Sequence, residues 1–171
     1  MTRVNIKEQI VNLILLLLVQ LPLVHRITLF NQAYSFFYVG FLLLLPRTLG
    51  RSYLMVIGFF SGLLVDAFTD TPGIHASASV FIMFIRSFWL NIINDDLDEL
   101  TNLNIESLKK AGFVFYIFPL VFIHHFIIFF VENGGFHLFG MVIGKVFFSA
   151  IFSSVVIFAI NFAITPKRRR I

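Results

Sequence analysis

Residues 52–93 read SYLMVIGFFSGLLVDAFTDTPGIHASASVFIMFIRSFWLNII. Two apolar runs, 52–69 and 74–93, flank the turn Asp70-Thr71-Pro72-Gly73. About 20 apolar residues at a rise of about 1.5 Å each cross the hydrocarbon core of a bilayer. Helices of a water-soluble domain keep a polar face, and neither run supplies one. Working outward, four further stretches have the same character: 6–24, 30–46, 111–131 and 139–164. The stretch 30–46 is densely apolar only over 34–45. In 6–24, the long apolar core and the sequence Leu21-Pro22-Leu23 do not suit a cleaved signal peptide, which ends on small residues. The expectation is an all-α integral membrane protein, one polytopic domain over residues 1–171 with six transmembrane helices.

Composition agrees. The 171 residues are 58% hydrophobic and 13% charged, whereas a soluble domain carries about 25% charged residues. With no cysteine, disulfide frameworks and thiolate-ligated metal or haem centres are excluded. The net charge of +4 reads through topology rather than nucleic acid. With both termini on one side, Arg3, Lys7, Arg47, Arg51, Lys109, Lys110, Lys167, Arg168, Arg169 and Arg170 share it, and Arg26 alone lies opposite. Lys and Arg in short loops mark the cytoplasmic side, so both termini are expected inside. The basic C-terminus then lies against anionic lipid. The 94–110 connection, acidic at its start and basic at its end, is expected as a cytoplasmic loop or surface segment.

Each charge within a span costs at least about 2.5–3.5 kcal/mol and needs a reason. Gly58, Gly62 and Asp66 are spaced by four and share one helix face. The glycines admit a close neighbour, and Asp66 points into that contact as a satisfied buried carboxylate. His75, Ser79 and Arg86 form one stripe of the next span. Counting from Gly73 at about 1.5 Å per residue, Asp66 lies roughly 10 Å deep and Arg86 roughly 19 Å. His75 and Ser79 therefore match Asp66 better in depth. An Asp66–Arg86 pair needs the arginine to reach upward or a water between them; otherwise Arg86 snorkels beside Trp89. His124, His125 and Glu132 on the fifth span join Asp66, Asp70, His75 and His137 as an expected polar group at one end of the bundle. Histidine and carboxylate are metal- and proton-binding types, but the H-E-x-x-H order is missing, and interhelical hydrogen bonding is the expected role. Lys145 is expected to face Glu132 or a polar interior.

Enzyme templates do not fit. In Gly58-Phe59-Phe60-Ser61-Gly62 the serine falls one place late for G-x-S-x-G, and no P-loop or dinucleotide-binding glycine pattern occurs. No catalytic residue, metal or cofactor is assigned.

The strings Gly62-Leu63-Leu64-Val65-Asp66 and Pro72-Gly73-Ile74-His75-Ala76, followed by Arg86, resemble the bacterial rod shape-determining protein MreD family. The chain length, six spans, short polar N-terminus and basic C-terminus are similar too. The motif covers about residues 58–86, the architecture most of the chain. The resemblance implies a non-enzymatic subunit of the bacterial inner membrane, within the cell-elongation machinery that lays down lateral peptidoglycan. Its implied partners are the lipid bilayer, an MreC-like single-span protein, an MreB-like filament, a SEDS glycosyltransferase and a penicillin-binding transpeptidase. It implies Gly58, Gly62, Asp66, Gly73, His75 and Arg86 as structural or interaction positions. The fold is also similar to substrate-binding membrane subunits of energy-coupling-factor vitamin transporters, the alternative function. Those subunits show small residues on the first helix, and 6–24 contains neither alanine nor glycine.

Overall fold

A computed structural model describes residues 28–29, 33–46, 49–93 and 105–164. The expected first span, residues 94–104 of the long connection and the basic C-terminus lie outside the described residues. The described chain begins as a two-rung antiparallel hairpin, β1 (Thr28–Leu29) with β2 (Ala33–Tyr34), pairing Thr28 with Tyr34 and Leu29 with Ala33. A short helix follows, α1 (Tyr38–Leu43), and then four long ones: α2 (Arg51–Thr69), α3 (Ile74–Ile93), α4 (Ile105–Glu132) and α5 (Phe139–Ile164). Each of the four long helices is long and apolar enough to cross a membrane.

Three of the expected spans appear with bounds within a residue or coinciding. The fifth starts earlier, because residues 105–110, expected in the connection, continue the helix. The second expected span is corrected. Across residues 33–46 the backbone is extended at β2 and helical for only the 6 residues of α1, a rise of about 9 Å against a hydrocarbon core of about 30 Å. The sequence Ala33-Tyr34-Ser35-Phe36-Phe37 holds aromatic side chains that favour extended backbone. Side chains of other helices take the hydrogen-bonding groups that a continuous helix would have paired internally.

The long helices pack in sequence order, α2 on α3, α3 on α4 and α4 on α5, while α1 touches all four. Tyr38, Val39, Leu42 and Leu43 of α1 are completely buried, together with Leu54, Ile82, Met83, Tyr116, Val121 and Val146. The outward faces are the reverse of a water-soluble exterior: Phe60, Phe88, Phe115 and Phe148 are among the exposed side chains, a surface suited to lipid. Much of the large phenylalanine complement therefore lies outside the core. Phe59 and Phe60 meet each other edge-on with ring centroids 5.5 Å apart; they are exposed and point away from the face of Gly58 and Gly62.

Pro119 interrupts α4. Proline has no N–H to give the carbonyl four residues earlier, here that of Phe115. The indole Nε1–H of Trp89 on α3 donates to this carbonyl at 3.2 Å, which ties the two helices at the point where α4 lost its own bond. Trp89→Phe should cost about 1 kcal/mol. Reversible unfolding in a detergent titration measures it, and the cost should shrink when Pro119→Ala restores the backbone donor.

Candidate functional site

Of the resemblance residues, Gly62, Asp66, Gly73 and His75 sit where α2 turns into α3. Asp70 closes α2 in the left-handed region at φ 56°, and Gly73 precedes α3 at φ 81°, a conformation that glycine adopts without strain. A helix start leaves its first N–H groups unpaired. Asp66, one turn before the end of α2, fills this role for α3: Oδ1 accepts from His75 N and Oδ2 from Ala76 N, both at 2.9 Å. Thr71 Oγ1 also donates to Oδ1 at 2.9 Å. A carboxylate there also meets the positive end of the α3 dipole. The reach is short because Gly62 lets α2 lie against α3; a Cβ at Gly62 would stand 2.5 Å from Ala76 Cα and His75 O. Gly58 makes a second approach one turn away, where a Cβ would meet Met83 Cγ at 2.9 Å and Ser79 O at 3.1 Å.

Asp66→Asn keeps one acceptor and turns an amide N–H₂ toward an N–H that it cannot satisfy. It should destabilise the protein by about 1–3 kcal/mol, read by the same detergent titration.

Asp66 and Arg86 do not pair. Arg86 is 1% exposed and turns to the far end of α1 rather than snorkelling beside Trp89. Its Nε donates to Leu43 O at 3.1 Å and to Tyr116 Oη at 2.9 Å, and its Nη2 donates to Leu45 O. Tyr116 Oη donates to Leu43 O at 2.6 Å. The last carbonyls of a helix have no internal donor; here a guanidinium and a phenol supply them inside the bundle.

The other end of the broken segment is held by α5. Tyr34 N donates to Ser149 Oγ at 3.0 Å, and Phe36 N donates to Ser153 Oγ at 3.1 Å. Ser153 Oγ also lies 3.0 Å from His125 Nε2, while His125 Nδ1–H donates to Val121 O at 2.8 Å. Between the two ends, the Tyr38 hydroxyl bonds His75 Nδ1 at 3.2 Å, Ser79 Oγ at 3.1 Å and His124 Nε2 at 2.9 Å. His124 Nδ1 is buried with no partner among the described residues. An unpaired lone pair there costs less than an unpaired N–H, so the cheaper arrangement has His124 Nε2–H donating to Tyr38.

The single polar group expected at one end of the bundle is thus divided. His75 and His124 meet through Tyr38, and His125 belongs to Ser153. Asp70 and His137 are exposed. Glu132 and Lys145 both line a separate cavity of about 610 Å³ beside the 133–138 turn. Within it, the Lys145 ammonium lies over the ring faces of Phe129 and Tyr34, 4.4 and 4.6 Å from their centroids. Among the described residues no three His, Cys, Asp or Glu gather to hold a metal ion.

The sequence reading missed Tyr38, Tyr116, Ser149 and Ser153. The two serines, four apart on α5, are polar positions repeated on one face of a spanning helix, and that spacing is a usable signal. Nothing in the sequence near Tyr38 marks it as the residue that joins three helices.

Fold and polar core together define a multi-pass helical membrane protein whose costly buried groups bond mostly to backbone and to one another. No family model, curated protein or solved structure matches the chain.

Proposed function

We propose that the chain is a non-enzymatic scaffold subunit of the bacterial inner membrane, serving the cell-elongation machinery through its MreD-like features. Its four long helices cross the membrane, which keeps Arg51 and the basic C-terminus on one side, the cytoplasmic one. The observation that carries the reading is the use made of Asp66 and Arg86. The carboxylate spends both oxygens on the α3 amides, and the guanidinium gives Nε to Leu43 O and Tyr116 and Nη2 to Leu45 O, at and just past the end of α1. Gly62 and Gly73 serve the same α2–α3 closure. Residues committed in this way hold a shape, and a rigid shape presented to neighbours in the bilayer is what a scaffold supplies. Its partners are then an MreC-like single-span protein, an MreB-like filament and the wall-synthesis pair of SEDS glycosyltransferase and penicillin-binding transpeptidase.

The cavity of about 610 Å³ favours a second reading, a substrate-binding subunit of a vitamin transporter. Crosslinking in native membranes followed by partner identification separates the two. Capture of wall-synthesis proteins and an actin-like filament supports the scaffold; capture of an ATPase module overturns it. Asp66→Asn should weaken that capture in proportion to the lost stability, whereas loss of a catalytic turnover with capture intact contradicts the scaffold role.

A further inference from the structure

Lys145 is the one cation of α5 within the described side chains, and its surroundings are unlike those of the buried arginine. Arg86 has carbonyls and a phenol for its donors. The Lys145 ammonium has two ring faces behind it, Phe129 and Tyr34, and in front of it a cavity of about 610 Å³. Ring faces attract the charge but accept N–H groups poorly, and among the described residues the ammonium has these faces and no hydrogen-bonded oxygen. The volume lies within the range of about 300–1,000 Å³ that holds small ligands. Apolar side chains such as Met141 and Phe148 form much of the remaining wall, and Glu132 supplies an acid. Cation, acid and apolar wall in one recess describe an amphiphile that bears both charges.

We propose that this cavity binds the headgroup of a zwitterionic phospholipid, with phosphate oxygens on Lys145 and the ligand's ammonium toward Glu132. A purely anionic headgroup would meet repulsion from Glu132. A quaternary ammonium would need aromatic faces that Lys145 already occupies, and it has no N–H for the carboxylate. An ethanolamine headgroup satisfies both charged side chains.

The test uses the full chain in nanodiscs holding equal amounts of phosphatidylethanolamine, phosphatidylglycerol and phosphatidylcholine, with retained lipid read by native mass spectrometry. Phosphatidylethanolamine should be retained at least about fivefold over each of the others, and Lys145→Met should remove that preference. Gly144 lines the same cavity, and a Cβ there meets nothing within 4 Å. Gly144→Leu should therefore fill the recess and abolish retention while Lys145 stays in place, which keeps the test valid if Lys145→Met folds poorly. Equal retention of the three lipids overturns the proposal, as does preference unchanged by Gly144→Leu. Retention of added phosphoethanolamine with no phosphatidylethanolamine retained would assign the cavity to a free solute and overturn the lipid proposal. The partner-capture experiment is independent of every one of these outcomes.

Discussion

Arg86→Met is expected to lower stability by about 1–3 kcal/mol, the cost of leaving a buried acceptor without its donor. The substitution keeps length and apolar bulk and deletes every donor. Leu45 O then has no partner from Arg86, and Leu43 O keeps Tyr116 Oη alone, at 2.6 Å. Each buried carbonyl left unpaired costs about 1–3 kcal/mol. The loss is partly offset because a buried charge is removed as well. Arg86→Lys should fall between methionine and the native residue, since a single ammonium lacks the fork that spans Leu43 O, Leu45 O and the phenol. Tyr116→Phe should cost about 1 kcal/mol on its own. Combined with Arg86→Met it should cost more than the sum, because Leu43 O then loses both donors. Detergent unfolding titrations of the four proteins measure the cycle; an additive result would mean that the two side chains do not share that carbonyl.

Gly62→Ala is expected to cost about 3 kcal/mol, at the upper end of what overpacking usually does. The added Cβ would stand 2.5 Å from Ala76 Cα and 2.6 Å from Ala76 N. These are backbone atoms of the neighbouring helix and cannot rotate aside. Relief comes only by moving α2 off α3, which lengthens the Asp66 bonds one turn away. Gly58→Ala should cost less, because its nearest obstacle is the flexible Met83 side chain at 2.9 Å. Gly73→Ala meets nothing within 4 Å and bears only the strain of φ 81°, about 1–2 kcal/mol. The order Gly62, then the other two, is read from the same titrations. A Gly62→Ala protein as stable as the native one would contradict the close approach of the helices.

The lengths of α2, α3 and α5 and the α2–α3 contact were legible in the sequence because both depend on local order. Apolar run length sets a span, and glycines four apart with Asp66 set a face. The depth count already favoured His75 over Arg86 as the neighbour of Asp66. It failed to specify that the partners are the backbone amides of His75 and Ala76, since side-chain stripes say nothing about unpaired helix ends. The broken segment was illegible for a different reason. Apolar content over 34–45 satisfies the length rule for a span whether the backbone is helical throughout or extended in part. Its true course depends on Ser149 and Ser153, more than a hundred residues away, and on Arg86 and Tyr116. The same separation hid the division of the histidines, because His124 and His125 are neighbours in sequence whose rings serve different partners.

The anchoring of residues 34–45 has a consequence for synthesis. Its extended end is bonded to Ser149 and Ser153, and its helical end to Arg86 and Tyr116. When the ribosome has made only this stretch, none of those partners exists, and exposed amides and carbonyls are intolerable in hydrocarbon. It must wait in water, in the headgroup layer or beside the insertion machinery until α5 arrives. This stretch is thus translated before α5 but reaches its place only with it.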